Sequence, residues 1–151
     1  MRFFFTVGFV VFSLFLSSTL EAKQQSNSDK KISRYTVVIP ATSEEWVSTK
    51  LKVLPGDILL IKASGTISVG GFLGKTGPDG TTSGVGRLKL KIGTEFIESV
   101  GSIKYVPVTI AGIAMLRIDD SNYRDNSGEF SVEVIHIPAK LLPRAMPVRA
   151  E

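Results

Sequence analysis

Arg87-Leu88-Lys89-Leu90-Lys91-Ile92 decides the fold. Every second residue is apolar, and the residues between are all cations. A strand sends successive side chains to opposite faces, so this stretch reads as a half-buried β-strand with one aliphatic and one charged face. Gly93-Thr94 turns the chain into Glu95-Phe96-Ile97-Glu98. The same grammar extends both ways. Upstream, Tyr35-Thr36-Val37-Val38-Ile39 is rich in β-branched residues and stops at Pro40, and Trp46 to Val53 alternates. Leu54-Pro55-Gly56-Asp57 has the composition of a tight turn. Ile58 to Ala63 and Gly65 to Val69 read as two more strands, and the glycine-rich residues 70–86 as a long loop. Downstream, Lys104 to Ile110, Ala114 to Ile118 and Glu129 to Ile137 are further strands. No window carries a helix of three turns. Short strands with turn residues at this spacing predict an all-β sandwich or barrel.

The two ends differ from this body. Met1-Arg2 is a short basic start, Phe3 to Leu16 is almost wholly apolar, and Ser17 to Ala22 is small and polar. That order predicts a secretory signal peptide over residues 1–22, cleaved after Ala22. The apolar run is about 14 residues, against the roughly 20 that a spanning helix needs, so no membrane span is expected after cleavage. The expected location is secreted or periplasmic. Residues 23–34 read as a flexible polar linker, residues 35–137 as the folded domain, and residues 138–151, with three prolines, as an irregular tail.

Charge and missing residue types narrow the function. The net charge is +4, yet between Tyr35 and His136 there are ten Lys/Arg and eleven Asp/Glu, so the excess sits at the ends. A nucleic-acid binder needs a basic face on the folded domain with aromatic platforms, and none is expected. The chain has no Cys and one His. Disulfides, zinc catalysis and Cys–His nucleophiles are therefore out. His136 reads as a strand-end surface residue. No Gly-x-Ser-x-Gly elbow appears. Gly74-Lys75-Thr76 has the letters of a phosphate loop, but Val69 stands where the first glycine belongs and Gly77-Pro78 follows where a helix should begin. No enzyme is expected.

The remaining chemistry lies in Asp119-Asp120-Ser121-Asn122-Tyr123-Arg124-Asp125-Asn126-Ser127-Gly128. Calcium takes six to eight hard oxygens from carboxylates, amide carbonyls and backbone carbonyls, and this turn is rich in them. Carboxylates crowded with only Arg124 nearby repel one another without a cation. An EF-hand is excluded, because neither register places its glycine and its glutamate, and the flanks are strands. A plain polar turn would use the same residue types, so that reading stays open.

The order Trp46…Pro55-Gly56-Asp57…Ala63-Ser64-Gly65…Gly77-Pro78-Asp79-Gly80…Lys91-Ile92-Gly93…Asp119-Asp120…Asp125-Asn126-Ser127-Gly128-Glu129-Phe130-Ser131-Val132 resembles the PA-I galactophilic lectin family of bacteria. The resemblance runs from about Trp46 to Ile135. It implies a galactose-binding-like jelly-roll β-sandwich holding calcium, with sugar hydroxyls completing the ion's shell. Carried over by residue, it implies Asp120, Asp125 and Asn126 as side-chain ligands, with Asp119 a substitute for Asp120. Asn122 would supply a carbonyl in the turn, and Val69 or Gly70 a distant one. Asp120, Asn122 and Asp125 would meet the sugar, and Asp79 is a further sugar-contact candidate by its place in the short loop and not by the resemblance. Two features depart from the pattern: the acidic turn is shorter, and the loop Thr81 to Gly86 is short and lacks a His. The implied partner is a galactose-like or other glycan, bound by a protein that gains from being a homo-oligomer. The alternative is a structural envelope or adhesion domain in which calcium stabilises the turn and no sugar binds.

Overall fold

The computed structural model describes residues 31–71, 73–94 and 96–143. The signal-peptide reading of residues 1–22, the linker before residue 31 and the tail from residue 144 lie outside the described residues.

Nine strands are described: β1 (Ser33–Pro40), β2 (Val47–Val53), β3 (Ile58–Ser68), β4 (Lys75–Thr76), β5 (Arg87–Ile92), β6 (Phe96–Ser99), β7 (Ile103–Pro107), β8 (Gly112–Asp119) and β9 (Ser127–Ile137). They form two sheets. The first runs β1-β9-β3-β4, with β7 also paired to β3; the second runs β2-β8-β5-β6. All pairings are antiparallel. The all-β sandwich expected from the alternation is the fold observed.

Alternation accounts for the core. Leu88, Leu90 and Ile92 of β5 face inward with Ala114, Leu116 and Ile118 of β8, their register partners. Across the interior lie Ile39, Leu59, Ile61, Phe130, Val132 and Val134 of the first sheet, each fully buried. Fully burying side chains of this size contributes about 1.5–3 kcal/mol each, so these two faces hold the sandwich without disulfides.

Some boundaries moved. β1 starts at Ser33, inside the expected linker, because Ser33 and Arg34 already pair with His136 and Ile135. β7 ends at Pro107, short of the expected Ile110. The segments expected as two strands around Gly65 form one, β3. Gly65 has φ +113°, and a Cβ there would lie 2.6 Å from the Glu129 carbonyl oxygen. It is a close-approach point opposite Phe130, not a turn.

His136 is not a surface residue. It is 8% exposed, and its Nε2 lies 2.8 Å from Asp57 Oδ2. Asp57 also accepts the Leu54 N–H at Oδ2 and the Ala139 N–H at Oδ1, both at 2.9 Å. Burial pushes the Asp57 carboxyl up, but the hydrogen bonds from Leu54, His136 and Ala139 and the charge of His136 outweigh it and hold the carboxyl below its ordinary range. The clasp joins the β2–β3 turn to the end of β9 and anchors a single 3-10 turn at Ala139–Leu141.

Candidate functional site

The acidic turn joins β8 to β9. Strand alternation splits its leading acidic pair. Leu116 and Ile118 face the core, so Asp119 points outward, where its Oδ2 meets Lys89 Nζ at 2.8 Å. Asp120, one residue on, turns back into the loop. Its Oδ1 accepts the Ser121 N–H at 2.6 Å and the Asn122 N–H at 3.1 Å, the local closure that Asp makes in turns. Its Oδ2 accepts from Asn126 Nδ2 at 2.8 Å.

Asn126 is the hub. It is 6% exposed, and its amide nitrogen also donates to the Ala41 carbonyl at 3.1 Å. Both amide protons are then used. Its Oδ1 is buried and has no hydrogen-bond partner. An unpartnered buried acceptor costs about 1–3 kcal/mol, so this oxygen is the least satisfied polar atom of the turn.

Asp125 precedes it and is exposed. Its carboxylate lies directly against Gly70, where an added Cβ would collide with it. Gly70 has φ +71°, so glycine serves twice here, for backbone conformation and for room. The contact brings the distant segment Val69–Gly70 to the acidic turn, the juxtaposition implied by the family resemblance. Val69 is buried at 4% and donates its N–H to the Gly74 carbonyl at 3.0 Å. The Gly70 carbonyl accepts the Leu73 N–H at 3.3 Å. Asn122 is exposed, and its Oδ1 accepts the Arg124 N–H at 3.4 Å.

Two expected residues sit elsewhere in the hydrogen-bond network. Asp119 is engaged with Lys89. Asp79 Oδ1 accepts the Ser102 N–H at 2.9 Å and lies 3.1 Å from Ser102 Oγ, with no hydrogen bond or ion pair to the turn among the described residues. Consistently, no group of three or more His, Cys, Asp or Glu converges among the described residues. The structure joins Asp120 to Asn126 and, as a separate contact, Asp125 to Gly70; the side-chain oxygens these residues could offer a cation are the two carboxylates and the orphaned Asn126 Oδ1. That set of two carboxylates and one amide suits a hard ion such as calcium; it holds no soft ligand.

Tyr123 was not foreseen. It is 8% exposed, donates its hydroxyl to the Ile118 carbonyl at 2.7 Å and accepts the Asp120 N–H at 3.3 Å. It props the turn from inside. The signal was available: an aromatic ring in an otherwise polar turn must bury somewhere.

The chain is similar to a solved structure described as "EclA N-terminal domain; PllA-like lectin", with 29% sequence identity and a TM-score of 0.61, over 70% of this chain and 97% of that one. No protein-family model matches the sequence, and no curated protein does. The likeness places this chain beside a lectin in fold.

Proposed function

We propose that this protein is a calcium-dependent carbohydrate-binding protein of the PA-I galactophilic lectin type, exported by its apolar leader to a secreted or periplasmic location. Asp120, Asp125 and Asn126 are its side-chain calcium ligands, and the backbone at Asn122 and at Val69–Gly70 supplies carbonyls. Calcium brings charge compensation to the two carboxylates and a partner to Asn126 Oδ1. A bound ion also offers coordination positions to vicinal sugar hydroxyls, and neighbouring carboxylate oxygens accept hydrogen bonds from those hydroxyls, which the ion polarises. The chain's own part is to orient oxygens on a turn held between two sheets.

The observation that carries this reading is the buried, unpartnered Asn126 Oδ1 beside Asp120, in a turn that also brings Asp125 against Gly70. The lectin neighbour supports the carbohydrate half, since its description names a binding protein and not an enzyme.

The test is calcium titration followed by thermal melting, for the wild type and for Asp125→Ala. Calcium at a hundredfold over its Kd stabilises by about 2.7 kcal/mol, which raises Tm by about 11 °C in a domain of this size. Asp125→Ala keeps the apo Tm and loses most of the rise. An unchanged calcium response in the variant removes Asp125 from the site. A glycan array with and without chelator tests the sugar, and a calcium-dependent melt with no glycan bound supports the structural-domain alternative instead.

A further inference from the structure

Beside the turn lies an open depression of about 460 Å³ lined by Glu44, Arg117, Ser121, Asn122, Tyr123 and Arg124. Its two cations come from different places, Arg117 from the outer face of β8 and Arg124 from the acidic turn. Among the described residues the ion pairs are Arg34–Glu133, Lys89–Asp119, Lys104–Glu98 and His136–Asp57, so neither arginine is in one.

The sheet makes this imbalance costly. Arg117 stands directly opposite Lys89 in the β5–β8 register, and like charges so placed destabilise a sheet. Asp119 neutralises Lys89. Arg117 is left with the face of Trp46, 4.8 Å from its guanidinium, and with the Glu44 carbonyl, which accepts from Nη1 at 3.4 Å. Its Nε is buried with no acceptor. Lys91 approaches the same Trp46 ring at 5.5 Å, which adds another positive charge to that side of the sandwich. Cation–π contacts fix the guanidinium in place but carry no counter-charge. Glu44, the one acid in the wall, is exposed to solvent and has no ion pair among the described residues.

We infer that this depression receives the acidic substituent, a carboxylate or a sulfate, of the saccharide held at the calcium turn, so that the ligand class is an anionic glycan. The inference rests on the carbohydrate-binding reading above. The two sites adjoin, because Ser121 and Asn122 belong both to the wall of the depression and to the turn. A planar guanidinium matches the paired oxygens of either acid group, and clamping on Trp46 lowers the ordering cost of using it.

Isothermal titration of the calcium-loaded protein with methyl galactoside, galacturonic acid and galactose 6-sulfate, at fixed ionic strength, tests it. At least one acid sugar binds about tenfold tighter than the neutral one, the size of one charge-assisted contact, and the advantage shrinks as salt is raised. The better of the two identifies carboxylate or sulfate. Arg124→Ala, at an exposed position, removes most of the preference while leaving neutral-sugar binding unchanged. Arg117→Met keeps an apolar stem over Trp46 and does the same. Trp46 is the chain's one tryptophan, so its emission shifts with the acid sugar and not with the neutral one. Neutral sugar bound as tightly as both acids overturns the inference and leaves the lectin reading standing. No sugar bound in the presence of calcium overturns both.

Discussion

Two polar clusters are buried at strand ends of this sandwich, and they differ in one respect. In the Asp57–His136 clasp both carboxylate oxygens are partnered, with two backbone N–H groups and the imidazole on them. In the acidic turn the Asp120–Asn126 pair leaves Asn126 Oδ1 with nothing to accept. Both stabilise loops against strands. The clasp has no buried side-chain atom without a partner, whereas the turn leaves one buried acceptor open, and an unpaired buried group calls for a partner from outside the chain. The clasp is therefore read as structural and the turn as a site.

The comparison breaks most readily at the clasp. Asp57→Ala leaves a buried imidazole and two part-buried N–H groups without their partner, and is expected to cost about 3 kcal/mol, measured by denaturant unfolding. The loss is the same with and without calcium. A calcium-dependent loss would mean that the two clusters are not separate in function.

The pH dependence belongs to the same residue. The folded Asp57 carboxyl titrates below its ordinary value of 3.8. Its contribution is thus fully present above the unfolded value and fades as pH falls below 3.8 through the folded one. Wild-type stability measured from pH 6 downward therefore carries a loss in that acid window which Asp57→Asn lacks.

Smaller effects sharpen the other half. Gly70→Ala places a Cβ against the Asp125 carboxylate at a positive φ, a strain of about 1–3 kcal/mol. It should weaken calcium binding as well as the fold, read by the calcium-induced rise in Tm. Tyr123→Phe removes the hydrogen bond to the Ile118 carbonyl, for about 1 kcal/mol. It leaves the proposed calcium ligands in place, so the calcium response is expected to persist on a lower baseline. An equal loss of calcium response in Tyr123→Phe and Gly70→Ala would show that the turn's general rigidity, and not the Gly70–Asp125 approach, governs the ion.

Much of the fold was legible because alternation is a local signal. The two faces of β5 were readable residue by residue, and Leu88, Leu90 and Ile92 are the residues it buries. What escaped were features set by a distant neighbour. Gly65 has a turn's composition, but the Glu129 backbone makes it a close-approach point inside one long strand. His136 looked exposed because nothing near it in sequence reveals Asp57. Asp119 stood as a substitute for Asp120, and only the side of the strand end on which each falls separates them. The body's near-neutral charge was counted correctly, but a sum does not report that Arg117 and Arg124 line one depression with Glu44 as its one acid and no ion pair to either among the described residues.

By itself the sequence determined the all-β class, most strand positions, the absence of thiol and histidine-pair chemistry, and the acidic turn as the place to look. Each follows from residue type and short-range periodicity. Only the tertiary structure decided that Asn126 has an orphaned oxygen, that Asp125 lies against Gly70, and that Arg117 is clamped on Trp46 without an anion. Hydrogen-bond satisfaction and charge compensation depend on which atoms long-range packing brings within about 3 Å of one another, and no local pattern encodes that.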